Sequence, residues 1–117
     1  MKKENVIKIK SFSFSVKIVN LYKILTKEKK EFVMSKQLLR SGTSVGALVR
    51  EAEHAESKAD FIHKLSIALK EANESEYWLD LLKETNYLIE SDYICYQKDI
   101  KEILRILISI IKTSKLN

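Results

Sequence analysis

Two amphipathic helical stripes, separated by a helix-capping sequence, dominate the centre of this 117-residue chain. Between Lys36 and Leu82, apolar or small residues recur every three to four positions, the spacing that places side chains on one face of a helix. The first stripe comprises Leu38, Gly42, Val45, Val49 and Ala52, and the second comprises Phe61, Leu65, Ala68, Ala72, Ser75, Leu79 and Leu82. Between the stripes, Ser57 precedes Asp60 by three positions, which approximates a capping box. One helix is therefore predicted to end there and another to begin.

Two glycines, Gly42 and Gly46, lie inside the first of these helices, in a chain that contains no proline. A glycine in a helix interior is about 1 kcal/mol less favourable than an alanine. Because two such residues occur in one short stretch, we predict that the backbone of another helix packs closely against them.

The amino-terminal part of the chain is compatible with two kinds of secondary structure. Residues 7–18 alternate apolar and polar side chains, as a strand does, but the spacing of Phe14, Ile18 and Leu21 fits a helix equally well. A lone strand in a helical chain would have no partner for its backbone groups.

The chain length suits one domain with a single core.

A final helix is predicted after Ser91 or Asp92, either of which is a suitable cap. Its apolar positions span about 200° of the helical wheel, wider than the stripe of an ordinary surface helix. Neighbouring helices of the same chain, a second copy of the chain or a membrane surface would each cover this arc. We favour a subunit interface, because a membrane-surface helix needs a polar face richer in lysine. The predicted interface residues are Ile103, Ile106, Leu107, Ile108, Ile110 and Ile111.

Positive charge is concentrated in the first thirty residues, which hold nine lysines and two glutamates in a chain of net charge +5. Lysines on the back of the first helix and in the turn that follows it would attract phosphate groups without reading bases. The same pattern is typical of a face that only keeps a protein soluble, and the residues alone leave both interpretations open. The predicted nucleic-acid-binding residues are Lys17, Lys23, Lys27, Lys29 and Lys30.

An acidic run formed by Glu71, Glu74, Glu76 and Asp80 lies on the third helix. Such a run is most often a solvated face whose carboxylates pair with lysine or arginine, within the chain or across subunits. It is also the docking surface that a protein–protein assembly module without nucleic-acid binding would use. This module is the alternative hypothesis for the function.

Residues with catalytic or metal-binding chemistry are few. The pair Glu51 and His54 has the spacing found in di-iron bundles, and Asp60 and His63 share it more loosely. Both pairs point away from the apolar stripes on the helical wheel, whereas a metal site in a bundle needs inward-facing ligands held by further partners. Cys95 is the only cysteine and has no partner at metal-ligand spacing. We therefore expect no catalytic residues, no metal, no cofactor and no enzymatic activity.

The sequence offers no targeting or membrane signal. Its start, MKKENVIKIK, lacks the apolar core of a secretory signal. No run reaches the roughly 18 uninterrupted apolar residues of a membrane span. Together with the single cysteine, this pattern leads us to expect a cytoplasmic protein without membrane contact.

Four segments of the chain resemble the 23S rRNA intervening-sequence protein family, a group of small bacterial four-helix-bundle proteins. They are FSFSVKIVNLYKIL at 12–25, SKQLLRSGTSVGA at 35–47, SKADFIHKLSIALKEA at 57–72 and YWLDLLKET at 77–85. The chain departs from the family pattern at Leu48, where many relatives carry asparagine, and at Asn86, where glycine is usual. Asparagine tolerates the left-handed conformation that follows a helix almost as glycine does.

This resemblance implies an all-α, antiparallel up-down four-helix bundle with helices near residues 11–29, 33–55, 58–85 and 91–113. Residues 1–10 are predicted to be extended. The resemblance also implies a homo-oligomer, most simply a pentamer, because relatives that serve as accessory proteins of diversity-generating retroelements look like ring-shaped pentamers. Those relatives bind nucleic acid and a reverse transcriptase. The expected partners are therefore other copies of the chain, RNA or DNA, and a protein.

Overall fold

Four helices make up the part of the protein that the computed structural model describes, residues 2–117. They are α1 (Lys3–Lys27), α2 (Met34–Glu53), α3 (Lys58–Glu84) and α4 (Glu90–Leu116). Helices α1 and α3 each pack against α2 and α4, and they lie diagonally across the bundle from each other. Short turns join consecutive helices, so neighbouring helices run antiparallel. The molecule measures 47 × 22 × 21 Å, and the predicted antiparallel four-helix bundle is confirmed.

Apolar side chains from all four helices form one core. Every member of the first predicted stripe is buried, and so is every member of the second except Phe61, which is half-buried. Helices α1 and α4 contribute further large buried side chains, among them Phe14, Ile18, Ile100 and Leu107. Burial of apolar surface stabilises a fold by about 25 cal/mol per Å², so this shared core holds the four helices together.

Helices α1 and α2 approach each other closely at the two glycines, as predicted. A Cβ atom on Gly42 would lie 3.1 Å from Cγ1 and Cγ2 of Ile18. A Cβ atom on Gly46 would lie 3.1 Å from the hydroxyl oxygen of Ser15 and 3.3 Å from the carbonyl oxygen of Ser11. These distances leave little room for a side chain, so the two glycines set the separation of α1 and α2.

Two predicted helix ends are confirmed in atomic detail. The hydroxyl of Ser57 accepts a hydrogen bond from the backbone N–H of Asp60 at 3.0 Å and so caps α3. Asn86 follows the other end of α3 with a φ of 68°, in the left-handed region. The backbone N–H of the next residue, Tyr87, donates to the carbonyl of Leu82 at 2.8 Å, a bond that closes the end of the helix.

The amino-terminal prediction is wrong for residues 3–10, which are helical and form the first turns of α1. Ile7 is buried on the same face as Ser11 and Phe14, and only helical spacing brings these three positions to one side. The burial of Ile7 therefore extends the helix beyond the point that the sequence pattern indicates. Residue 1 lies outside the described residues.

Helix α1 ends at Lys27 rather than near residue 29, and α4 continues to Leu116 rather than ending near residue 113.

The wide apolar arc of α4 is largely covered by the chain itself. Ile103, Leu107, Ile110 and Ile111 are buried in the core, so the prediction that they form a subunit interface is corrected. Two of the six predicted residues are not buried: Ile106 is half-buried and Ile108 is 41% exposed. Helix α4 packs against both α1 and α3. These two neighbours together cover a wider part of its apolar surface than one neighbour would.

Substitution of Gly42 tests the close packing of α1 and α2. We expect Gly42→Val to lower the free energy of unfolding by about 1–3 kcal/mol, because the new side chain overpacks against Ile18. Urea denaturation followed by circular dichroism measures the change. Valine forms helices more readily than glycine, so a loss of stability reports crowding and not helix propensity.

The matched control is Ala59→Val, at an exposed position in the first turn of α3. It carries only the difference in helix propensity, which is below about 1 kcal/mol. Equal effects of the two substitutions would show that α1 does not constrain Gly42.

Candidate nucleic-acid interface

Apart from Lys3, which donates a hydrogen bond to the hydroxyl of Ser109, the lysines in and directly after α1 fall into two groups that differ in whether a carboxylate pairs with them. Along the body of the helix, Lys8 pairs with Glu53 of α2 at 3.2 Å, and Lys10 pairs with Glu102 of α4. The ammonium of Lys17 lies 2.6 Å from the carboxylate of Asp99, also on α4. These pairs join α1 to its two neighbours. The prediction that Lys17 belongs to a phosphate-binding face is therefore corrected, since it is directed towards α4 and already has an anionic partner.

The second group lies at the carboxyl end of α1 and in the turn that follows it, residues 28–33. Lys23, Lys27, Lys29 and Lys30 are all exposed. Within residues 2–117, none of these four lysines forms a salt bridge with a carboxylate. We call these four lysines the basic end. The structure thus brings together four of the five predicted nucleic-acid-binding residues.

A buried glutamate holds the turn beside the basic end. The carboxylate of Glu31 accepts hydrogen bonds from the backbone N–H groups of Ser35 at 2.7 Å, Met34 at 3.0 Å and Val33 at 3.1 Å. The hydroxyl of Ser35 donates in return to the carbonyl of Glu31 at 2.8 Å. This carboxylate satisfies N–H groups that the start of α2 would otherwise leave without partners. The turn is therefore rigidly connected to the bundle.

The environment of Glu31 favours its charged form. Burial acts to raise the pKa of this carboxyl group, but hydrogen bonds from the three backbone N–H groups outweigh burial and lower the pKa. Glu31 was not among the predicted site residues. An acidic residue three positions before the start of a helix was the sequence signal that could have identified it.

Lys30 occupies an unusual backbone conformation, with a φ of 55°. Residues other than glycine adopt this left-handed region at a cost of roughly 1–2 kcal/mol. The backbone N–H of the next residue, Glu31, donates to the carbonyl of Leu25 at 2.9 Å. That bond and the capping bonds of Glu31 hold Lys30 in place, so its side chain projects from a fixed backbone.

The acidic run on α3 is paired with other residues of the same chain. Arg40 of α2 contacts Glu71 at 3.2 Å and Glu74 at 2.5 Å, and Lys101 of α4 contacts Glu76 at 2.8 Å. Asp80 accepts a hydrogen bond from the hydroxyl of Tyr93 at 2.5 Å, which with burial and nearby carboxylates raises the pKa of Tyr93 to about 12. The interpretation of this run as a face paired within the chain is confirmed.

The residues with metal-binding spacing make other contacts. The carboxylate of Glu51 pairs with Lys64 at 3.2 Å, and the carboxylate of Asp60 accepts the backbone N–H of Glu56 at 3.2 Å. His54 and His63 are both exposed. Among residues 2–117, no group of three or more potential ligands is arranged to hold a metal ion.

An apolar stripe on the outer face of α1 was not predicted. Ile9, Phe12 and Val16 follow one another at helical spacing on the side opposite the core, and Phe12 is 55% exposed. The guanidinium of Arg50 on α2 lies 5.2 Å from the centre of the Phe12 ring. Beside them, a shallow groove runs between α1 and α2, lined by Phe12, Ser15, Thr43, Gly46, Ala47 and Arg50. The alternation along residues 7–18 was the sequence signal for this second apolar face.

The fold and the basic end define a small helical-bundle protein with four exposed lysines at the end of its first helix. The sequence pattern of the 23S rRNA-intervening sequence protein family matches residues 3–109, and the chain belongs to this family. The crystal structure of a protein of unknown function from the S23 ribosomal protein family of Bacteroides thetaiotaomicron is similar, with a TM-score of 0.94 and 63% identity. That comparison covers 95% of this chain and 99% of the other. No curated protein matches the chain. Among residues 2–117, no helix is long and apolar enough to cross a membrane.

The capping role of Glu31 predicts a pH-dependent contribution to stability. We expect Glu31→Ala to lower the free energy of unfolding by about 1–2 kcal/mol at neutral pH, the usual range for loss of a helix cap. Because the folded pKa is lowered, this contribution is present above the unfolded value of about 4.3 and is lost as the pH falls through the folded pKa. Urea denaturation of both proteins at pH 7 and at acidic pH measures it.

Glu28→Ala is the matched control, because Glu28 is exposed in the same turn. We expect it to change stability by less than about 0.5 kcal/mol at any pH. If the difference between Glu31→Ala and the native protein grew towards acidic pH, the assigned role of Glu31 would be wrong.

Proposed function

We propose that this protein is a non-enzymatic, homo-oligomeric helical scaffold that contacts the phosphates of RNA or DNA through its basic end. The observation that carries the proposal is the exposure of Lys23, Lys27, Lys29 and Lys30 without a carboxylate partner among residues 2–117. A phosphate backbone provides regularly spaced negative charges, and lysines that bind it release condensed counterions. Binding of this kind is strongly salt-dependent and largely independent of sequence.

The contrast between the two lysine groups supports this proposal. Lys8, Lys10 and Lys17 lie beside carboxylates of α2 and α4, so their charge is balanced inside the bundle. The basic end keeps its charge for an external partner. A positive charge at residue 27 interacts favourably with the carboxyl-terminal dipole of α1. This interaction does not explain the positive charges of Lys29 and Lys30, which lie beyond the end of the helix.

The alternative function, a protein–protein assembly module that docks through the acidic run of α3, has less support. Glu71, Glu74, Glu76 and Asp80 already have partners in the same chain. A protein that docked there by charge would have to compete with Arg40, Lys101 and Tyr93. The basic end presents no such competition.

Self-association is the second part of the proposal, and the outer face of α1 is the surface that supports it best. Exposed apolar side chains scattered singly are ordinary, whereas Ile9, Phe12 and Val16 share one face beside an apolar groove. A second copy that covered this face would remove the three side chains from water. By resemblance to its relatives, we propose that the assembly is a closed pentamer.

Neutralising the basic end tests nucleic-acid binding. We expect the triple variant Lys27→Gln, Lys29→Gln, Lys30→Gln to weaken binding to a labelled RNA oligonucleotide and to duplex DNA. For duplex DNA, the slope of log affinity against log salt should become shallower by about 2–3, because each phosphate contact contributes about 0.9. Fluorescence anisotropy between about 50 and 200 mM salt measures both quantities.

The triple variant Lys8→Gln, Lys10→Gln, Lys17→Gln is the matched control, since it removes the same charge from lysines that are already paired. Its salt dependence should stay close to that of the native protein. Equal losses in the two variants would mean that only total charge matters. Absence of binding by the native protein at low salt would rule out nucleic-acid contact.

Substitution of Phe12 tests the proposed interface. We expect Phe12→Glu to reduce the mass of the assembly in light scattering, because a charge at the centre of the apolar stripe opposes its burial. The control is Ile108→Glu, which places the same charge on the exposed residue of the α4 interface predicted from sequence. A native monomer would contradict self-association, and dissociation by Ile108→Glu alone would place the interface on α4.

A further inference from the structure

The turn beside the basic end exposes apolar surface that the bundle does not need. Phe32 is 58% exposed and Val33 is 73% exposed, although both directly follow the buried Glu31. A surface turn in an otherwise well-packed chain normally carries polar residues. Two adjacent apolar side chains in one turn are thus available to a partner outside the chain.

The backbone around Phe32 is fixed before any ligand binds. Glu31 precedes it and accepts three backbone hydrogen bonds, one of them from Val33 itself. One residue before Glu31, Lys30 is held in the left-handed region. A ring on such a backbone loses little conformational freedom on binding, which is the usual advantage of a preorganised site.

Two lysines stand close to this ring along the chain. Lys30 and Lys29 stand two and three residues before Phe32, so their Cα atoms lie within about 7 and 11 Å of it even in a fully extended chain. Lys23 and Lys27 extend the positive surface along the last turns of α1. An exposed aromatic ring bordered by lysines matches the arrangement in which bases stack while the phosphates on either side are neutralised.

We infer that Phe32 is a stacking platform for an unpaired base, and that the ligand class is single-stranded nucleic acid in preference to a duplex. This inference rests on the proposed function, because it assigns a ligand to the same basic end. In a duplex the bases are already stacked on one another, and their flat faces are not available to a side chain. A single strand offers both a free base face and its phosphates.

The charges of the chain argue against a second copy as the occupant of this turn. Four lysines would need acidic partners on the other copy, yet most carboxylates of residues 2–117 are already engaged within one copy, including all those of α3: Asp60, Glu71, Glu74, Glu76, Asp80 and Glu84. A lipid surface is also a poorer match, because a monotopic contact uses an extended apolar helix face and not one short turn.

The test compares three labelled probes of equal length: a single-stranded DNA, the same strand with abasic sites in place of its bases, and the matching duplex. We expect the native protein to bind the single strand more tightly than the other two. Phe32→Ala should weaken binding to the normal single strand by roughly 5- to 150-fold, the range for loss of one base–aromatic stack. Binding to the abasic strand should not change.

Three further variants separate stacking from other effects. Phe32→Tyr should retain binding, whereas Phe32→Leu, which is apolar without a flat ring, should behave like Phe32→Ala. Tyr77→Ala removes a ring of the same 58% exposure from the acidic surroundings of α3, and it should leave binding unchanged. Thermal melting checks that each variant folds, as expected for exposed positions.

The possible outcomes distinguish the inference from the function on which it rests. If the native protein binds none of the probes at low salt, both fall. If it binds all three equally and Phe32→Ala has no effect, or if it prefers the duplex, stacking is overturned and phosphate binding stands. If Phe32→Ala changes only the mass of the assembly, or only the binding of anionic lipid vesicles, the turn serves another copy or a membrane and the inference is again overturned.

Discussion

The close contact between α1 and α2 determines how the rest of α1 is used. Gly42 and Gly46 leave little room for side chains where Ile18 and Ser15 cross them. Two helices packed at this distance cannot rotate freely against each other, because interiors are as dense as organic crystals. The orientation of α1 is thereby set: Ile18 faces the core, and Phe12 faces outward. Everything proposed for the outer face and for the basic end follows from this orientation.

The lysines along the first helix differ in whether a neighbouring helix supplies a carboxylate. Lys17 lies beside Asp99 of α4, and Lys8 and Lys10 are paired in the same way. The four lysines of the basic end are exposed and have no such partner among residues 2–117. Individual surface pairs contribute little to stability. These ion pairs matter here because they show which lysines already have an anionic partner within the chain.

Rigidity and exposure occur together in the first turn of the bundle. Glu31 is buried and fully engaged by the start of α2, while the residues on either side of it, Lys30 and Phe32, are exposed. A flexible turn would lose conformational entropy on binding, but this one is ordered by the same hydrogen bonds that begin α2. The capping bonds of one carboxylate thus serve the fold and also present the side chains through which we propose that the protein binds.

The sequence by itself determined the helical stripes, the Ser57 cap, the close packing at the glycines and the left-handed Asn86, because each depends on residues a few positions apart. It did not determine that residues 3–10 are helical, since apolar side chains on two faces of α1 mimic the alternation of a strand. Only the tertiary structure decided that Lys17 is paired, that Ile103 and Leu107 are buried, and that Phe32 is exposed. These outcomes depend on distances between helices, and local periodicity does not encode which neighbour a side chain meets.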